Sequence, residues 1–156
     1  MFDLSQYCIE KVTEVCAVQF NIGNHLIILL CIYTSPSGNI GKFAVQIDLI
    51  LKYSYTPKLE YICGDFNVNF LIYSSSAEQP TLLLQSYILF HTFDFPTRMT
   101  KDSNSASDNL YIDYSKLNSF QVFSLINGLS DYEAQCLCVN NIFIDKWVIL
   151  DLSKRD

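Results

Sequence analysis

Two hydrophobic runs in the first quarter of the chain predict a β-hairpin. Residues 15–22 and 25–34 are rich in β-branched and apolar side chains, and only Gly23-Asn24 separates them. Glycine and asparagine tolerate the positive φ angles that a two-residue hairpin loop requires. The longest apolar run, from Leu26 to Tyr33, is far shorter than the roughly 20 residues that a membrane-spanning helix needs. We therefore expect two paired strands and no membrane span.

Further along the chain, helical and strand-like spacing alternate. Apolar residues recur at helical spacing over 40–53 and again over 78–90, where Leu82, Leu83 and Ile88 are expected to face inward. Asp3 predicts a short helix over 3–11, and 95–107 form a long connection without periodicity. The remaining strands are predicted at 59–63, 109–114, 120–126 and 134–144. Strands predominate and helices connect them, which indicates sheets covered by helices.

Composition limits the chain to one packed domain and weakens, without excluding, a nucleic-acid function. The chain has 156 residues, of which 50% are hydrophobic and 17% charged, and its net charge is -6. Phosphate binding depends on clustered Lys and Arg, so a broad electrostatic grip on DNA is disfavoured. The six cysteines lie mostly in apolar runs without zinc-site spacing, and we expect them to be buried free thiols. With no secretory signal in front of them, an intracellular location, in the cytoplasm or nucleus, is expected.

Five short segments lie at the ends of predicted strands or between them. Alone, Tyr33 is more typical of a sheet residue, and the other segments are typical of turns and loop caps, because Asp and Asn side chains cap their own backbone. The segments are Leu30-Cys31-Ile32-Tyr33-Thr34-Ser35-Pro36-Ser37-Gly38, Ile62-Cys63-Gly64-Asp65-Phe66-Asn67, Pro96-Thr97-Arg98, Ser107-Asp108-Asn109 and Ser130-Asp131-Tyr132-Glu133-Ala134-Gln135. Taken in this order and spacing, over 3–144, the segments resemble the endonucleases of non-LTR retrotransposons in the endonuclease/exonuclease/phosphatase superfamily.

The resemblance implies an α+β fold, an incomplete four-layer α/β/β/α sandwich of the DNase I type. It also implies Mg²⁺-dependent hydrolysis of a phosphodiester in DNA, with a reverse transcriptase encoded downstream in a full-length element. The resemblance also implies the roles of the site residues. Asp65 would act on the attacking nucleophile, while Asn67 and Tyr33 would bind and position the phosphate. Asp108 would support the site, Asp131 would orient the residue that follows it, and Thr97 and Arg98 would position the substrate.

The sequence departs from the family at two important points. Tyr132 stands where the family has a catalytic histidine, and a phenol cannot exchange protons near neutral pH as an imidazole does. The family's first strands, which carry an Asn and a metal-binding Glu, have no counterpart, so no intact metal site is expected. Glu10 and Glu14 are interpreted as solvated surface groups. We expect an N-terminally truncated domain over 1–144, a divergent tail over 145–156, and exposed apolar surface where strands are missing.

Three functional hypotheses remain open at this point. The chain is a residual, impaired DNA endonuclease, or a non-catalytic remnant or binding fold, or, as the least favoured interpretation, a phosphatase of the same superfamily. The Tyr132 substitution, the missing metal-binding Glu and the acidic charge favour the non-catalytic remnant.

Overall fold

The computed structural model describes residues 3–22, 25–54, 59–113, 120–126, 128 and 130–139. The strands are β1 Thr13–Ile22, β2 His25–Thr34, β3 Leu59–Asp65, β4 Leu89–His91, β5 Arg98–Met99, β6 Asn104–Ser105, β7 Asp108–Asp113, β8 Phe120–Leu125 and β9 Ala134–Val139. They build a five-stranded mixed sheet in the order β1-β2-β3-β7-β4, together with two small two-stranded sheets, β5-β6 and β8-β9.

The predicted hairpin is confirmed. β1 and β2 pair antiparallel along their whole length, from Ile22 opposite His25 to Thr13 opposite Thr34. The turn residues Gly23 and Asn24 lie outside the described residues. β3 then joins β2 in parallel, and β7 joins β3 antiparallel. This arrangement brings the ends of β2 and β3 and the start of β7 to one edge of the sheet.

Two α-helices, α1 Ile40–Ser54 and α2 Ser75–Ser86, pack against one face of the large sheet. Helix α1 begins where Asn39 Oδ1 accepts a hydrogen bond from the Lys42 amide at 2.9 Å. Its apolar residues recur every three or four positions, so they form one stripe facing the sheet. The core on this side contains Val15, Ile28, Leu30, Ile32, Phe43, Ile47, Ile50, Leu51, Ile62, Phe66, Leu84, Leu89 and Tyr111.

The opposite face of the large sheet is covered at one end by the β8–β9 hairpin. Phe120, Leu137 and Val139 of that hairpin pack against a cluster made by Ile27, Tyr61 and Ile112. Successive layers are therefore helices, a large sheet and a small sheet, within the part of the chain that the structure describes. This α+β architecture agrees with the predicted fold class.

Several local predictions need correction. The helix expected over 3–11 is a single 3-10 turn, Ser5–Tyr7, because the chain turns back at Ile9 to pair with Thr13. Helix α2 begins earlier than expected, at the Ser74 cap, and ends at Ser86. The connection over 95–107 contains β5 and β6, and β4 follows α2 where helix was expected. Residues 140–144, the end of the last predicted strand, and the predicted tail over 145–156 lie outside the described residues.

The inward face of α2 was also predicted incorrectly. Leu82 and Ile88 are more than half exposed, while the buried residues are Ala77, Pro80 and Leu84. Leu83 does pack against the core, as expected. A run of three leucines allows either face to be buried, and packing against α1 and β4 selects Leu84.

Candidate active site

The loop that follows β3 is fixed by a glycine and a buried aromatic ring. Gly64 has φ +155°, and a Cβ atom there would overlap the carbonyl oxygen of Ile32 in the neighbouring strand. Phe66 is fully buried, and its amide donates to the Ser107 carbonyl at 2.9 Å. The rings of Phe43 and Tyr111 contact it edge-on. Asp65, between these two anchors, is therefore held at the end of β3.

Asp65 and Asn67 form a local turn. Asp65 Oδ1 accepts a hydrogen bond from the Asn67 amide at 2.9 Å, which leaves Oδ2 to act on a bound water or ion. Asn67 adopts φ +50°, and its Nδ2 donates to the Thr34 carbonyl at 2.5 Å. The Asn67 side chain therefore ties the loop to the end of β2 with one of its two amide N–H donors, and the second donor is left for a phosphate.

Asp65 faces a second carboxylate across the sheet. Asp108 is its register partner on β7, and both residues border a cavity of about 340 Å³ whose wall includes Gln135 of β9. Thr97 Oγ1 donates to Asp108 Oδ2 at 3.1 Å. Burial, and then the nearby charge of Asp65, raises the pKa of Asp108 above its ordinary value. The cavity thus contains two carboxylates whose environments differ.

Thr97, Arg98, Asp131 and Tyr132 form a second cluster. The Arg98 Nε donates to Asp131 Oδ2 at 2.7 Å, and the guanidinium carbon lies 5.0 Å from the centre of the Tyr132 ring. Backbone bonds from Met99 to the Asp131 carbonyl and from Glu133 to the Thr97 carbonyl join the two segments. The hydrogen bond from Arg98 keeps the pKa of Asp131 below its ordinary value. Asp131 therefore binds Arg98, and Tyr132 lies against the same guanidinium.

Tyr33 belongs to a row that crosses the large sheet. It is the register partner of Asp65 on one side and of Glu14 on the other, and its side chain is 41% exposed. The row Glu14, Tyr33, Asp65, Asp108 thus runs over four strands on the face opposite the helices. Glu14 is exposed, as expected of a solvated surface group, and the register of the hairpin aligns it with the site residues.

The structure therefore brings together most of the residues that the resemblance implied, in two adjoining groups. Asp65, Asn67, Tyr33 and Asp108 lie where β2 and β3 end and β7 begins, and Thr97 links Asp108 to the Arg98 cluster. The described residues include no group of three or more His, Cys, Asp or Glu side chains arranged to hold a metal ion. Among these described residues, the facing carboxylates available to a divalent ion at this site are Asp65 and Asp108.

Two solved structures resemble this arrangement of strands and helices. The endonuclease domain of TRAS1, a telomere-specific non-LTR retrotransposon, matches with TM-score 0.68 and 17% sequence identity over 80% of this chain and 63% of that chain. An endonuclease/exonuclease/phosphatase family protein from Leptotrichia buccalis matches with TM-score 0.58 and 16% identity over 81% and 53% of the respective chains. The chain has the endonuclease/exonuclease/phosphatase fold. The match confirms the fold that the five sequence segments predicted.

This chain spans about half to three fifths of the length of those two neighbours. No protein-family model and no curated protein sequence matches it. The described helices include none that is long and apolar enough to cross a membrane. With identities below one fifth, the endonuclease/exonuclease/phosphatase fold is established by shape, and the chemistry has to be argued from the side chains themselves.

Proposed function

We propose that this chain carries an impaired site for the Mg²⁺-dependent hydrolysis of a phosphodiester in DNA, of the retrotransposon endonuclease type. The observation that carries the proposal is the pair Asp65 and Asp108, which face each other across β3 and β7 beside an open cavity. The likeness to the TRAS1 endonuclease domain supports DNA as the substrate. A reverse transcriptase encoded downstream remains a prediction.

The carboxylate pair suits Mg²⁺ in the way that this ion is commonly bound. Mg²⁺ keeps several waters and uses only about one or two protein carboxylates together with substrate phosphate oxygens. Bound there, it would neutralise charge on the scissile phosphate. Asp65, through Oδ2, is placed to accept a proton from the attacking water. Asp108, whose pKa is raised by burial and by Asp65, gains from a nearby cation that offsets the repulsion.

The second cluster is where activity is expected to be weak. Asp131, whose family counterpart orients a histidine, instead binds Arg98, and Tyr132 lies against that guanidinium. A phenol does not exchange protons near neutral pH as imidazole does, and losing a general acid or base typically slows a reaction by about 100-fold to 10,000-fold. We therefore expect slow cleavage rather than the rate of an intact enzyme.

A second candidate is a non-catalytic remnant or binding fold. The observation that favours it is the same contact: Arg98, the cation of the Pro-Thr-Arg loop, is held by Asp131 and so is partly neutralised for a DNA phosphate. The net charge of -6 acts in the same direction.

Nicking of a supercoiled plasmid in the presence of Mg²⁺ distinguishes the two candidates. The proposal predicts slow nicking that EDTA stops and that Asp65→Asn abolishes, because asparagine can still accept from the Asn67 amide but cannot take a proton. The matched control is Asp102→Asn, which removes an exposed carboxylate outside the pair and should leave the rate unchanged.

Each other outcome has a definite meaning. Absence of nicking in the folded wild-type chain would favour the non-catalytic candidate. Nicking that persists in Asp65→Asn would place the chemistry elsewhere, or in a contaminant. Restoration of a full rate by Tyr132→His alone would assign the whole impairment to Tyr132 and would contradict the expectation that no intact metal site is present.

A further inference from the structure

Three cysteines form a second row across the large sheet, one step from the site row. Cys16 on β1 is the register partner of Cys31 on β2, and Cys31 is the register partner of Cys63 on β3. All three lie on the face opposite the helices, because each is two residues from a member of the row Glu14, Tyr33, Asp65. Cys31 therefore has a thiol neighbour on both sides.

The thiols of Cys31 and Cys63 are in contact. Their Sγ atoms are 3.6 Å apart, and Cys16 lies beside Cys31 on the neighbouring strand as its register partner. Neighbouring strands lie about 4.8 Å apart, and disulfides form at Cα separations of about 4.4–6.8 Å, so either pair can close with little backbone movement. Cys16 and Cys63 are separated by a full strand and cannot pair directly.

The row differs along its length in access to solvent. Cys16 is exposed, whereas Cys31 and Cys63 are half-buried, and none of the six cysteines is fully buried, so the expectation of buried thiols is wrong. In the described part of the chain these thiols do not belong to a metal-binding group, so coordination does not explain the row. An oxidant arriving from solvent would meet Cys16 first.

Burial favours an uncharged product over a thiolate at this location. Burial, and then the neighbouring Cys63, raises the pKa of Cys31 to about 11, and burial also raises the pKa of Cys63. Both side chains are therefore protonated thiols at neutral pH, and each alone reacts slowly with an oxidant, because the thiolate is the reactive form. A disulfide carries no charge, so the same burial does not oppose it.

We propose that Cys16, Cys31 and Cys63 form an oxidation site for hydrogen peroxide, in which Cys31 pairs first with Cys16 and finally with Cys63. The Cys16 thiol reduces the peroxide to water and becomes a sulfenic acid. The Cys31 thiol attacks that sulfur, releasing a second water and forming the Cys16–Cys31 disulfide. The Cys63 thiol then loses its proton to solvent and attacks the Cys31 sulfur, and Cys16 leaves as a thiolate that takes up a proton from solvent.

The final disulfide would connect β2 and β3 directly beside the candidate active site. Cys63 precedes Asp65 by two residues on the same strand face and borders the same cavity as Asp108. The inference stands on the cysteine row alone and does not depend on whether the neighbouring carboxylates cleave DNA.

The test uses the full folded chain, treated with a small excess of hydrogen peroxide, sampled over time and blocked with iodoacetamide. Non-reducing digestion with chymotrypsin, which cuts after aromatic residues such as Phe20, Tyr33 and Phe66, separates the three cysteines for mass spectrometry. We expect a transient Cys16–Cys31 pair, then a Cys31–Cys63 pair, each with the loss of two hydrogen atoms, and no Cys16–Cys63 pair.

Variants separate the steps. Cys31→Ser should abolish both pairs and leave a sulfenic acid on Cys16 that dimedone traps. Cys16→Ser should slow oxidation severalfold but still yield Cys31–Cys63. The matched control is Cys138→Ser, which removes an exposed thiol of β9 outside the row and should change neither product nor rate.

Three results would overturn the proposal. The first is that Cys31 and Cys63 stay reduced and are alkylated after peroxide treatment, while Cys8, Cys136 or Cys138 is oxidised. The second is a Cys8–Cys16 disulfide as the main product. The third is formation of the same pairs at the same rate in a urea-unfolded chain, which would show that the folded row does not direct them. The wild-type pairing is read without any substitution, so it stands even if a variant fails to fold.

Discussion

The two faces of the central sheet differ in how completely they are covered. On the helix-covered face of β1 Val15 is 9% exposed, whereas on the opposite face of the same strand Val18 is 47% and Phe20 39% exposed. Both faces belong to the same strands, so the difference comes from what packs on them rather than from strand propensity. The covered face holds the main core, and the open face holds Asp65, Asp108 and the cysteine row. Because successive side chains of a strand point to opposite faces, the residues of the core and the residues of the candidate sites lie on different faces of the same sheet.

Replacing Gly64 with alanine should have the largest effect, because both faces depend on the path of β3 at this point. The new Cβ would overlap the Ile32 backbone at a φ of +155°, so we expect the free energy of unfolding to fall by about 4 kcal/mol or more. Urea denaturation measures the loss. The control is Gly128→Ala, at φ +68° in open space, which should cost only about 1 kcal/mol. Equal losses at both positions would show that the backbone angle alone requires glycine at position 64 and that β2 yields easily.

Leu30→Ala and Leu29→Ala test the two faces directly, since these neighbours on β2 point in opposite directions. Leu30 is fully buried under the helices, and its truncation should lower the free energy of unfolding by about 2–5 kcal/mol. Leu29 is only partly buried beneath the small hairpin, so its truncation should cost about 1 kcal/mol. Urea titration of both variants gives the comparison. A larger loss for Leu29 would mean that the open face is as well packed as the covered one.

Asp108→Asn should have the smallest effect, and its sign depends on pH. The pKa of Asp108 is raised in the folded state, so ionising this carboxyl costs more free energy in the folded than in the unfolded chain. This cost is absent below the unfolded-state pKa, because Asp108 is then protonated in both states. It grows as the pH rises and is complete above the folded-state pKa. The substitution should therefore stabilise the chain at neutral pH by on the order of 0.5 kcal/mol after solvent screening, and the gain should vanish in acid. Thermal melts of both proteins at neutral and acidic pH measure this. Destabilisation at neutral pH would indicate that the bond from Thr97 outweighs the buried charge.

The sequence was informative wherever a local pattern was strong. The two apolar runs and their short connection predicted β1, β2 and their pairing, and the spacing of Phe43, Ile47 and Leu51 predicted α1. Helix α2 was less determined, because adjacent leucines present apolar groups to every side and tertiary packing decides which is buried. Strand β4 has three residues and β5 and β6 two each, lengths too short for a periodic signal.

For the candidate site, the sequence by itself determined which residue types are available. It also determined that Asp65 and Asn67 follow a strand, because the Gly64 conformation and the Asx turn depend on only a few neighbouring positions. Only the tertiary structure decided which of these residues meet. Strand register aligned Asp65 with Asp108 and Tyr33, brought Glu14 into the same row, and set Cys16, Cys31 and Cys63 side by side. The physical reason is that pairing between strands far apart in sequence depends on the burial of whole faces, and a shift of one residue would turn every one of these side chains to the other side of the sheet.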